Sequence, residues 1–99
     1  MCFVRRMAIV VRQTENGEPM QFEVEVREAN GRTHHRVTMT AARHAALGKG
    51  AAPEAVIRAA FAFLLEREPK ESILATFDVT VISRYFPEFE RAIGRYLSH

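Results

Sequence analysis

The stretch Met20-Gln21-Phe22-Glu23-Val24-Glu25-Val26-Arg27-Glu28-Ala29-Asn30-Gly31-Arg32-Thr33-His34-His35-Arg36-Val37-Thr38-Met39 decides the fold. Apolar side chains recur at every second position before Asn30-Gly31, and again at Val37 and Met39 after it, the period of a half-buried strand. Asn-Gly supplies the positive φ angles of a tight hairpin turn. Placing a two-residue turn there predicts partners whose numbers sum to 61: Val26 with His35, Val24 with Val37, and Phe22 with Met39 on one face. The other face pairs Arg27 with His34, Glu25 with Arg36 and Glu23 with Thr38. Apolar meets apolar and Glu25 meets a counter-charge, an agreement that a one-residue slip destroys.

Working toward the N-terminus, Asn16-Gly17 repeats the signal. Its two-residue reading sets Val11 against Phe22, Ile9 against Val24 and Met7 against Val26, with numbers that sum to 33. Both hairpins select the same face of the middle strand. The prediction is a three-stranded antiparallel meander over 7–13, 20–28 and 33–39. Pro19, which has no N–H to donate, is expected to loosen or lengthen the first turn.

Toward the C-terminus the period changes. Thr40 is a candidate helix cap, and Ala41 to Leu47 reads as a short helix stopped by Gly48 and Gly50. Pro53 suits the first position of a second helix, on which Ile57, Ala60, Phe61, Leu64 and Leu65 form an i, i+3, i+4, i+7, i+8 stripe. Val56 and Phe63 widen that stripe, so this helix is expected to be central. Pro69 ends it and opens a third short helix carrying Ile73, Leu74 and Phe77. Asp78 caps a segment to Tyr85, and the spacing Ile82, Phe86, Phe89, Ile93, Leu97 predicts helix restarted at Pro87. The expected class is therefore α+β, a three-stranded antiparallel meander followed by three to four helices packed on one sheet face.

A chain of 99 residues with 47% hydrophobic composition has room for one core, hence a single domain over 1–99, with residues 1–6 read as a mobile leader. One cysteine, Cys2, excludes an intrachain disulfide framework and fits a reducing cytoplasm. No segment approaches the about 20 apolar residues of a membrane helix, so no membrane association is expected. The balance of 14 Lys+Arg against 12 Asp+Glu leaves only +2, which does not imply generic polyanion binding.

Chemistry-bearing patterns are sparse. His34 and His35 are adjacent, yet neighbouring strand residues point to opposite faces and do not share one metal. His35 reads as a hydrogen-bonded core histidine and His34 as part of a solvated face, while His44 could approach His35 and His99 is terminal. Gly48-Lys49-Gly50 precedes a helix N-terminus but follows a helix, so it reads as a loop instead of a phosphate cradle. Glu66/Glu68 and Glu88/Glu90 lie two apart on helices and splay around them. Ser72, Ser83 and Ser98 have no histidine near them in the sequence. No catalytic residue, metal site, cofactor or small-molecule substrate is expected, and the chain is expected not to be an enzyme.

Arg36-Val37-Thr38-Met39, followed by a helix and then by Gly50-Ala51-Ala52-Pro53-Glu54-Ala55-Val56-Ile57-Arg58-Ala59-Ala60, resembles the strand–helix–helix of ribbon–helix–helix repressors and antitoxins. The resemblance implies a DNA-binding regulator whose strand pairs across a dimer axis, with His34, Arg36 and Thr38 in the place of its base contacts. Set against it, Glu23 and Glu25 interleave with these candidates, and nucleic-acid binding is not the leading expectation. That expectation rests on the aromatics. Seven of the nine, Phe61, Phe63, Phe77, Tyr85, Phe86, Phe89 and Tyr96, follow residue 60, more than a three-stranded sheet can cover. Tyr85, Phe86, Phe89 and Tyr96 are the candidate interaction surface. The protein is expected to work through contact with a protein partner, as a homodimer, with an enzyme whose site lies between subunits as a distant third.

Overall fold

In the computed structural model, which describes residues 7–29, 31–48 and 50–97, strands β1 (Met7–Glu15), β2 (Met20–Glu28) and β3 (Gly31–Met39) form the antiparallel meander. The register is not the predicted one. Val24 lies opposite His35, Phe22 opposite Val37 and Glu23 opposite Arg36, so partner numbers sum to 59. Pairing closes at Glu28 and Gly31, which moves the turn back by one residue and makes Gly31, at φ +148°, the first strand residue. In the first hairpin Ile9 faces Val26 and Val11 faces Val24, a sum of 35, and a bulge between Gln13 and Glu15 leads into a longer loop through Pro19. Each hairpin is displaced by two positions. Because side chains alternate with period two, both faces survive the shift intact.

The core-facing residues Phe22, Val24, Val26, Val37 and Met39 are buried, while Glu23, Arg27, His34 and Arg36 on the other face are exposed. Thr40 caps helix α1 (Ala41–Gly48), its Oγ1 accepting from the Arg43 N–H at 3.1 Å, and Glu18 accepts from the Ala41 N–H at 3.0 Å. Helix α2 (Pro53–Leu65) buries Val56, Ile57, Ala60, Phe61, Phe63 and Leu64, more than one face of a cylinder, and is central as its widened stripe predicts. It also screens the open edge of β1. Arg58 Nε donates to the Ile9 carbonyl at 3.4 Å, and Glu54 accepts from the Gln13 N–H at 2.9 Å.

The predicted third helix carrying Ile73, Leu74 and Phe77 does not form. One 3₁₀ turn (Lys70–Ser72) follows Pro69, and Thr76–Asp78 is a fourth strand, β4, parallel to β3, with Val37 opposite Phe77. The free edge of β3 decides this, because its amides need partners; Arg36 N–H donates to the Ala75 carbonyl at 2.7 Å and Val79 N–H to that of Thr38 at 3.0 Å. The sheet order is β1-β2-β3-β4. Asp78 then receives hydrogen bonds from Thr80 N–H at 3.0 Å and Thr80 Oγ1 at 2.8 Å, opening helix α3 (Thr80–Tyr85). Helix α4 (Phe89–Leu97) restarts after Pro87 and packs on α2. The fold is α+β, with the helices on the apolar face of the sheet. The leader 1–6, with Cys2, and also Asn30, Lys49, Ser98 and His99, lie outside the described residues.

Candidate functional site

The alternation of β3 turns His35 inward, where it is 5% exposed against Phe61, their ring centroids 5.3 Å apart. Its Nδ1 lies 2.8 Å from the carbonyl oxygen of Leu74, which can only accept, so Nδ1 carries the proton. Nε2 is then the acceptor for the Thr33 hydroxyl at 2.8 Å. Burial pushes the imidazole below its ordinary value, with the Leu74 bond opposing in part, and the ring is neutral. His44 Nε2 is engaged by the Ala51 carbonyl at 2.7 Å, so the two histidines are each committed to backbone. Among the described residues no group of three His, Cys, Asp or Glu could hold a metal ion.

A second anchor fixes the same segment. Lys70 is buried, and its Nζ donates to Glu28 at 2.8 Å and Glu71 at 2.7 Å; these bonds raise its pKa above the ordinary lysine value. Between Lys70 and the His35 bond, the chain presents Ile73 and Leu74 to an open apolar groove of about 280 Å³. Leu64 of α2, Phe77 of β4, Val81, Ile82 and Tyr85 of α3, and Phe86 just beyond it complete its walls, with Glu68 and Ser72 as further polar groups. Leu74 is 50% and Tyr85 70% exposed, the two largest apolar surfaces that this part of the chain leaves uncovered.

The four aromatics singled out from sequence separate. Tyr85 and Phe86 meet at the groove. Phe89 does not belong to a surface. It is fully buried edge-on to Phe63, centroids 5.0 Å apart, because α4 turns its apolar stripe onto α2. Tyr96 is half-buried, its ring 6.0 Å from Phe63 and its hydroxyl donating to Glu66 at 2.6 Å. Sequence reasoning missed Leu74, which it placed on a third short helix with Ile73 and Phe77, and Glu68, which it weighed only with Glu66.

His34, Arg36 and Thr38 share the open face of the sheet, beside a polar basin of about 620 Å³ that includes Val10, Arg12, Glu23, Glu25 and Thr76. Its charges are spent on one another. Arg12 reaches Glu23 at 2.9 Å and Arg36 the same carboxylate at 3.9 Å. Glu25, with its side chain only 16% exposed, meets Arg27 at 3.0 Å, Arg32 at 3.4 Å and His34 at 4.0 Å. The Arg27 hydrogen bond chiefly holds that carboxyl below its usual value. Thr38 donates to Asp78 at 2.6 Å. With β2 on one side of β3 and β4 on the other, the intersubunit ribbon implied by the strand–helix–helix resemblance has no free strand to use.

No family model matches the chain, and no curated protein or solved structure matches it either.

Proposed function

We propose that this chain is a non-enzymatic protein–protein interaction module, working in the reducing cytoplasm that its single cysteine fits, and that its contact surface is the groove between Leu74 and Tyr85. The observation carrying this reading is the pair of half-exposed to exposed side chains flanking an otherwise apolar, open cleft. Such a cleft accepts a side chain from another polypeptide and gains from removing Leu74 and the Tyr85 ring from water. Its polar lining is Glu68, Ser72 and Tyr85, with no imidazole or thiol to activate a nucleophile, which favours binding over catalysis. Among the described residues no helix is long and apolar enough to cross a membrane.

A second copy of the chain is the other partner to weigh. Its motive was the excess of C-terminal aromatics, and four of the seven, Phe61, Phe63, Phe77 and Phe89, belong to the core. Of the other three, Tyr85 and Phe86 lie at the groove and Tyr96 packs on Phe63, so the aromatics form no broad exposed face of the kind that a standard interface of roughly 800 Å² per partner needs. A different protein is therefore the favoured partner. Affinity capture from native lysate, run in parallel with wild type and Leu74→Asp, tests the reading. A partner retained by wild type and lost by the variant supports it; identical captures reject it. Sedimentation at micromolar concentration separates the homodimer, which predicts a dimer dissociated by Leu74→Asp.

A further inference from the structure

Glu68 stands three residues beyond α2, where its N–H donates to the Leu64 carbonyl at 2.9 Å. Both residues line the groove, so the carboxylate is held at its rim. The neighbouring cations are committed elsewhere. Arg67 stacks 3.7 Å above the Phe63 ring and reaches Glu88 at 3.4 Å, and Lys70 is clamped between Glu28 and Glu71. Arg84 is exposed and is not part of the lining. Among the described residues no side-chain hydrogen bond or ion pair engages the Glu68 carboxylate, and the residue as a whole is partly buried.

The volume and the charge together define an occupant. About 280 Å³ is nearly twice the roughly 150 Å³ apolar cavity that holds a benzene molecule, enough for one large aliphatic or aromatic side chain with part of a neighbour. It is too small for the face of a second copy. An unpartnered carboxylate beside an apolar groove attracts a nearby cation and repels an anion. We infer that the groove takes a short peptide segment of a partner protein in which a large apolar residue is accompanied by a lysine or arginine, the apolar side chain entering beside Leu74 and the cation meeting Glu68. This inference rests on the protein-contact reading above and specifies the chemistry of the partner.

The test uses the full chain and a random twelve-residue peptide library displayed on phage. Enriched sequences are made as synthetic peptides, and their affinities are measured by fluorescence anisotropy for wild type, Leu74→Asp and Glu68→Lys, with circular dichroism confirming that both variants fold. The expected consensus couples Leu, Ile, Met or Phe to Lys or Arg within a few positions. Leu74→Asp should weaken binding by about tenfold or more and Glu68→Lys by about fivefold, the latter loss shrinking as salt rises. Peptides that depend on Leu74 but carry no basic residue, or bind Glu68→Lys as well as wild type, overturn the inference and leave the contact reading standing. Peptides indifferent to Leu74→Asp overturn both. Hexylamine saturating the groove, read by shifts of the Leu74 and Tyr85 NMR signals while no peptide is enriched, overturns the peptide and makes the site one for small amphiphilic amines.

Discussion

The His35 Nδ1–H donates to the carbonyl of Leu74 across 2.8 Å, joining a buried polar side chain of β3 to a half-exposed residue of the groove lip. One bond thus ties the buried face of β3 to the segment that leads into β4. A histidine that a sequence reader would examine for catalysis serves here to fix the backbone of the segment that leads into β4.

Acid should destabilise the fold by charging the buried imidazole, although the Leu74 bond itself favours the protonated ring. The His35 pKa in the folded chain is lowered from 6.5, so between that folded value and 6.5 the unfolded chain binds more protons than the folded one. Stability is fully present above 6.5 and is lost as pH falls from there toward the folded value. Urea denaturation over a pH series checks this, and His35→Gln should flatten the profile in that window. Two carboxyls act only in more acid solution. Glu25 is held low by Arg27. Burial would raise Asp78, but hydrogen bonds from Thr38 and Thr80 carry it below its ordinary value.

Phe63 is the hinge of the aromatic core, touching Phe86, Phe89 and Tyr96 and lying beneath the Arg67 guanidinium. Phe63→Ala should cost about 3–5 kcal/mol in chemical denaturation. Tyr85→Ala, by contrast, should change stability by no more than about 0.5 kcal/mol. Equal losses at the two positions contradict the division between core and surface.

Replacing Phe89 by Asp should unfold the chain, whereas Tyr85→Asp should leave its circular dichroism and thermal midpoint near wild type. A folded Phe89→Asp protein would return that residue to the candidate surface.

Cross-strand α-proton contacts measured by NMR should connect the non-hydrogen-bonded partners Glu23 with Arg36 and Glu25 with His34, not Val24 with Val37. Glu23→Gln should then perturb Arg12 and Arg36 while leaving Arg27 and Arg32, the partners of Glu25, largely unmoved. Each exposed pair should be worth no more than about 1 kcal/mol in a double-mutant cycle.

The meander and its two faces were legible because alternation is a property of every residue from Met20 to Met39. The register was not. It depends on which position near Asn30-Gly31 opens the strand, and a turn displaced by one residue leaves the hydrophobic pattern unchanged. Thr76–Asp78 is too short to display a strand period, and Ile73, Leu74 and Phe77 fit a helical stripe equally well, so β4 was hidden. The groove was hidden with it. Counting aromatics found Tyr85 and Phe86 but could not separate them from Phe89, since the split depends on how α4 rotates against α2.

The fourth strand holds three paired positions, against nine between β2 and β3, and its partner lies across both intervening helices in the chain. It is the part of the sheet that local opening releases at least cost. Phe77 and Leu74 leave the groove when it goes. On the proposed reading, occupancy of the groove and closure of the sheet are one equilibrium, and a bound partner would be felt as slower amide exchange in β4 well before any change in the meander.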